Sequence, residues 1–151
     1  MILRDVMAME AVGADLARLV RAGDVITLSG PLGAGKTSVA RGMLGALGLT
    51  GEAPSPTFAI VQPYEPPEVR TPVLHVDLYR LDDPAEVDEL GLDDALLDSV
   101  LLVEWPERAG EAAWPQALRL SLQPLPDGRR ALTWVVPKSW EGRWPPPQSP
   151  T

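Results

Sequence analysis

Val25-Ile-Thr-Leu-Ser29, then Gly30-Pro-Leu-Gly-Ala-Gly35-Lys36-Thr37, then Ser38-Val-Ala-Arg-Gly-Met-Leu-Gly45 decide the fold of this chain. An apolar, β-rich run enters a glycine loop, and the loop opens into a helix-compatible segment. That context makes G-x-x-x-x-G-K-[ST] a phosphate cradle rather than a glycine-rich turn with an exposed lysine. Glycines let successive backbone N–H groups face one anion, and the start of the helix adds unpaired donors and the positive end of its dipole. Lys36 is then placed to reach β- and γ-phosphate oxygens, and the Thr37 hydroxyl to ligate a bridging magnesium ion. Leu32, Gly33, Ala34, Gly35 and Ser38 are the neighbouring nucleotide contacts. The chain has two lysines against eleven arginines, so a lysine inside the loop argues for a task that a forked guanidinium does not fit.

Outward from the loop, 151 residues with 45% hydrophobic content suit one domain with a real core and little room for a second. The expected architecture is α/β: a mostly parallel mixed sheet flanked by helices, with a C-terminal antiparallel hairpin. A net charge of −8 opposes a surface that grips nucleic acid, because that needs clustered Lys and Arg to displace counterions. Tight direct RNA binding is therefore not expected, and any RNA connection should run through a partner. Without cysteines there is neither a disulfide frame nor a thiolate metal site, and the lone His75 cannot build a zinc site. The start of the chain lacks a signal peptide's basic region and apolar core, and no run is long enough for a membrane span, so a cytoplasmic protein is expected.

Residues 7 to 21 put Val12, Leu16, Leu19 and Val20 on one helical face, with Gly23 as the stop. Lys36 to Leu47 is the helix leaving the loop; Gly42 and Gly45 in it are expected to allow close packing on the sheet. Pro54-Ser-Pro-Thr57-Phe58 should be an extended loop before a strand beginning at Phe58. Thr57 is open to two readings: an ordered turn, or a switch-type threonine that completes the magnesium shell when the γ-phosphate is present.

Two acids compete for the metal side of the site. Val73-Leu-His75-Val-Asp77 reads as a strand ending in an acid, and so does Val100-Leu-Leu-Val-Glu104. Glu104 is assigned to magnesium and Asp77 to the attacking water. His75 reads as a packing or surface histidine in preference to a proton shuttle. Trp105 suits either a cover for the nucleotide base or a wedge in the core. Asp83-Pro84 should cap a short helix to about Leu90, ended by Gly91, with a second from Asp93 to Asp98. Leu118 to Leu122 and Ala131 to Val136 flank Pro-Leu-Pro-Asp127-Gly128, a hairpin expected to close the sheet's edge, and Arg129 after its turn is counted as a nucleotide contact. The domain is expected to span 1–138, with a Pro-rich tail, 139–151, that frays.

Guanine recognition by an N-K-x-D loop is impossible without asparagine, which the chain lacks, so ATP is favoured. A nucleoside or small-metabolite kinase is the alternative, but no arginine-bearing lid is evident. Four motifs, Gly-Pro-Leu-Gly-Ala-Gly-Lys-Thr (30 to 37), Ser-Pro-Thr-Phe (55 to 58), His-Val-Asp-Leu-Tyr-Arg (75 to 80) and Leu-Val-Glu-Trp-Pro-Glu (102 to 107), closely resemble in order and spacing those of the TsaE family. TsaE proteins are small bacterial ATPases of tRNA N6-threonylcarbamoyladenosine synthesis, and the resemblance spans about residues 7 to 136. It implies Mg-ATP as cofactor, TsaD and TsaB as partners, Thr37 and Glu104 on the magnesium side, Asp77 as a catalytic acid, and Trp105 and Arg80 as functional neighbours. The chain departs from the family at Pro31, usually an aspartate, and in its Pro-rich tail.

Overall fold

A computed structural model describes residues 1–51, 61–110 and 112–146. In chain order its elements are β1 (Ile2–Leu3), α1 (Val6–Leu19), β2 (Val25–Ser29), α2 (Lys36–Ala46), β3 (Val61–Tyr64), β4 (Val73–Asp77), α3 (Leu92–Ala95), β5 (Val100–Glu104), β6 (Leu118–Pro124) and β7 (Arg130–Val135). They build one seven-stranded sheet in the order β1-β7-β6-β2-β5-β4-β3. The central strands β6, β2, β5 and β4 run parallel, while β3, β7 and β1 are antiparallel to their neighbours. Thr57 and the expected strand start at Phe58 lie outside the described residues.

Burial follows the residue patterns. The unbroken apolar runs of β2 and β5 are covered on both faces, as interior parallel strands must be. Leu118-Arg-Leu-Ser-Leu122 alternates, and in β6 the leucines are buried while Arg119 and Ser121 are exposed. One face of the sheet carries α1 and α2. The other is covered by the 78–98 segment, with Leu78, Leu81 and Leu92 packed under it, and by Trp114. The acidic stretch forms the capped turn expected of Asp83-Pro84, but as a 3-10 helix over Pro84–Leu90, ended by Gly91 at φ 65°.

Helix α1 starts at Asp5, whose carboxylate accepts from the Ala8 N–H at 2.9 Å. It buries Met9, Val12, Gly13, Leu16 and Ala17; Leu19 and Val20 lie at the edge of the core. The glycines expected to pack α2 on the sheet behave otherwise. A Cβ on Gly42 would overlap the Glu10 backbone, and one on Gly13 would overlap the Val39 carbonyl, so Gly42 packs α2 against α1, not the sheet, and Gly45 has open space around it.

Two further expectations are corrected. The β6–β7 hairpin does not close the sheet: β6 lies inside it, parallel to β2, and the two-residue β1 covers β7 by pairing Ile2 with Ala131. Among the described residues the packing also runs past 138, and residues 140–144 are held rather than frayed. Trp140 is fully buried, Trp144 nearly so, and Trp144 meets Trp134 edge to face at 5.8 Å. Between them Arg143 stacks 4.0 Å over the Trp140 ring and donates to both carboxylate oxygens of Asp24, at 2.8 and 2.9 Å. Apolar rings and a bidentate ion pair hold this segment down.

Candidate active site

The parallel register decides which side chains meet. Asp77 pairs with Glu104, and Glu104 with Leu28, one residue before Ser29 and the glycine loop. The ends of β4 and β5 thus flank the loop leaving β2, at the carboxyl edge where α/β sheets bind ligands. The loop lines a cleft of about 420 Å³, with Leu32, Gly33, Ala34, Gly35, Lys36, Thr37 and Ser38 on one side. Asp77, Tyr79, Arg80, Glu104 and Trp105 lie on the other, and Val6, Met9 and Arg130 complete it. The site residues expected from sequence are therefore gathered in one place, except Thr57, which lies outside the described residues, and Arg129.

Gly35 precedes α2 at φ 105°, a region L side chains avoid, and a Cβ there would overlap Met9 Sδ. Lys36 is buried rather than exposed. Its ammonium donates to the Gly30 carbonyl and to the Pro31 carbonyl, the latter at 2.9 Å, and lies 4.1 Å from the centre of the Trp105 ring. Burial pushes Lys36 below the ordinary lysine value, against the opposing charges of Glu104, Glu107 and Asp77. Pro31 meets the lysine through its backbone carbonyl.

Trp105 holds its ring over Lys36 through a backbone at φ 60°, the only positive φ outside glycine among the described residues. That conformation is disfavoured for a bulky side chain and marks a place where surrounding contacts dictate the backbone. Tyr79 packs against the Trp105 ring at 4.9 Å between centroids. Trp105 thus lines the cleft and also packs against the second core layer, so neither sequence reading alone describes it.

Glu104 is almost fully buried. The Thr37 hydroxyl donates to its Oε1 at 3.3 Å, and His75 Nε2 lies 2.7 Å from its Oε2. Asp77 accepts from the Tyr79 N–H at 2.9 Å. A hydroxyl and a carboxylate side by side at a helix start are hard oxygen ligands. Among the described residues no group of three or more His, Cys, Asp or Glu could cage a metal. This donor set fits magnesium, which takes one or two protein oxygens and leaves its other positions to water and phosphate.

Arg129 turns away. Its N–H and guanidinium both bond Asp127 in the hairpin turn and hold that carboxyl below the usual carboxylate range. The next residue, Arg130, faces the loop instead, donating to the Gly33 carbonyl at 3.0 Å and the Ala34 carbonyl at 3.2 Å. An Asp-x-Arg turn bond was a signal that Arg129 was committed, leaving Arg130 as the cleft arginine.

The Threonylcarbamoyl adenosine biosynthesis protein TsaE family model matches residues 3–132. The chain belongs to the TsaE family. Its relatives include the Streptomyces coelicolor tRNA threonylcarbamoyladenosine biosynthesis protein TsaE, 44% identical over 76% of this chain and 78% of that one. The Bacillus subtilis protein of the same name is 36% identical over 80% and 74%. The crystal structure of Bacillus subtilis YdiB superposes with a TM-score of 0.79 at 29% identity, covering 95% of this chain and 88% of that one. The TsaE model thus takes in the glycine loop, both strand-end acids, Trp105 and Arg130, and stops short of the packed Trp140 to Trp144 segment. Among the described residues no helix is long and apolar enough to cross a membrane.

Proposed function

We propose that this chain binds Mg-ATP and hydrolyses it in support of tRNA threonylcarbamoyladenosine formation, working in the cytoplasm alongside TsaD and TsaB proteins. The observation that carries the reading is the convergence of Lys36, Thr37, Glu104 and Asp77 on one cleft beside a glycine loop that opens a helix. Membership of the TsaE family supplies the pathway.

In this reading the loop amides from Gly33 to Ser38 bind the phosphates, and Lys36 exchanges the Gly30 and Pro31 carbonyls for phosphate oxygens. Thr37 and Glu104 would hold magnesium, whose charge would supply electrostatic stabilisation at the phosphates when bound. Asp77 orients the attacking water, and Arg80 and Trp105 border the same cleft. Val6, Met9 and Leu32 form an apolar rim to the cleft, the chemistry that would suit a base and sugar. With a net charge of −8, the chain reaches tRNA through its partners rather than by its own surface.

Phosphate release from ATP without any acceptor tests this. Release should rise when TsaD and TsaB proteins are added and vanish in a folded Lys36→Ala variant. Phosphate that appears only on a nucleoside or metabolite would establish a kinase instead, and full release by Lys36→Ala would remove the glycine loop from the mechanism.

A further inference from the structure

The chain contains one histidine, and it is buried against the acid proposed to serve magnesium. His75 and Asp77 share a face of β4, and the parallel register sets His75 opposite Leu102, diagonal to Glu104 on β5. His75 Nε2 stands 2.7 Å from Glu104 Oε2, with both side chains about 2–3% exposed. A buried carboxylate needs its oxygens bonded, and one with a single bonded oxygen would rotate to find a second donor. The two oxygens of Glu104 are divided: Oε2 goes to His75 and Oε1 to Thr37.

The tautomer follows from the same contacts. His75 Nδ1 is buried and has no partner among the described residues. A proton on Nδ1 would bury an unpaired N–H and set the bare Nε2 lone pair against a carboxylate oxygen. A proton on Nε2 makes the 2.7 Å bond and leaves only an unused acceptor, the cheaper defect.

We infer that His75 is a positioning residue for the metal side of the site: its Nε2–H holds Glu104 Oε2 so that Oε1 stays turned to Thr37. The inference rests on the Mg-ATP reading above and deepens it. A ligand's bonding partner in the surrounding layer restricts its orientation before the ion arrives, and losing such a partner typically weakens metal affinity by about 10–100-fold.

The test titrates a non-hydrolysable ATP analogue, with excess EDTA and over a range of magnesium chloride, into wild type, Glu104→Ala, His75→Ala and His75→Gln. Glutamine can place an amide N–H where Nε2 stood. His75→Ala should raise the magnesium concentration for half-maximal tightening by about 10–100-fold while changing affinity in EDTA by no more than about twofold. His75→Gln should recover most of that loss. A magnesium response kept by His75→Ala but lost in Glu104→Ala overturns the positioning role alone. A response kept by Glu104→Ala overturns the Mg-ATP reading of Glu104, and the inference with it. A histidine that merely packs would lower affinity equally with and without magnesium, or leave His75→Gln unrescued. Should His75→Ala not fold, nitrogen NMR of the wild-type chain decides, because only one imidazole contributes: the N–H must reside on Nε2, and an Nδ1–H tautomer refutes the inference.

Discussion

Replacing Trp140 by alanine tests whether the Pro-rich end belongs to the domain. Trp140 is fully buried, and burying and then deleting so large a ring costs about 3–5 kcal/mol in lost transfer energy and residual cavity. Its indole N–H has no partner among the described residues, so deletion also removes a buried donor worth about 1–3 kcal/mol in the opposite direction. Loss of the Arg143 stack at 4.0 Å adds back about 0.5–2 kcal/mol. The net expectation is a destabilisation of about 3 kcal/mol. In a domain of this size that lowers Tm by roughly 6–12 °C. Deleting 139–151 removes Trp144 and Arg143 as well, so that Asp24, only partly buried, loses its bidentate partner but gains water, a further loss on the order of 1 kcal/mol. These losses share partners and will not add simply, but together they approach the about 5–15 kcal/mol that holds a typical domain together. Urea unfolding should be followed by far-UV circular dichroism, since the variants change the tryptophan signal. A Trp140→Ala unfolding free energy within about 1 kcal/mol of wild type, or an unshifted midpoint after deletion at 138, would refute the packed end.

Three further outcomes follow from particular contacts. Gly45→Ala, in open helical space, should stabilise by about 0.5–1 kcal/mol through helix propensity, whereas Gly42→Ala should destabilise because overpacking against Glu10, about 1–3 kcal/mol, exceeds the same gain; equal effects in urea unfolding would contradict the close α1–α2 approach. Lys36 has a lowered pKa in the fold, so between that value and 10.5 the unfolded chain binds more protons and stability rises with pH; the difference in unfolding free energy between wild type and Lys36→Met should grow in favour of wild type across this window, and a flat difference would deny the burial of the ammonium. Using the difference cancels Tyr64, whose raised pKa pulls stability down above pH 10 in both proteins. Glu104→Ala should weaken Mg-nucleotide affinity, while Asp77→Ala should lower turnover with binding largely kept; identical binding losses in a nucleotide titration would show that the two acids share one role.

The phosphate loop, its strand and its helix were legible because each has a local cause. An apolar run forms a strand, glycines permit positive φ, and Lys36-Thr37 follows at fixed spacing. The same holds for β5, whose apolar run ends in Glu104, and for the Asp83 cap of the acidic segment. The interleaved leucines of β6 announced a half-buried strand. What that pattern lacked was any statement of which strand β6 would pair with, since alternation specifies a face and not a neighbour.

Tertiary structure decided everything that depends on residues distant in sequence. His75 became the partner of Glu104 because β4 and β5 pair in one register, 29 positions apart in the chain, and a single histidine carries no such information. Arg130 rather than Arg129 faced the loop because the turn bond to Asp127 occupied the first of two adjacent, chemically identical side chains. Gly42 met α1 and not the sheet because the crossing of two helices, rather than helical periodicity, sets their closest approach. Residues 140–144 packed because Trp140, Arg143 and Trp144 found a ring, a carboxylate and a core face supplied by Trp134, Asp24 and α1. Sequence by itself determined the local chemistry of the phosphate loop and the strand ends. Only long-range packing, in which burial and hydrogen bonds are satisfied jointly by separate segments, determined which side chains surround them.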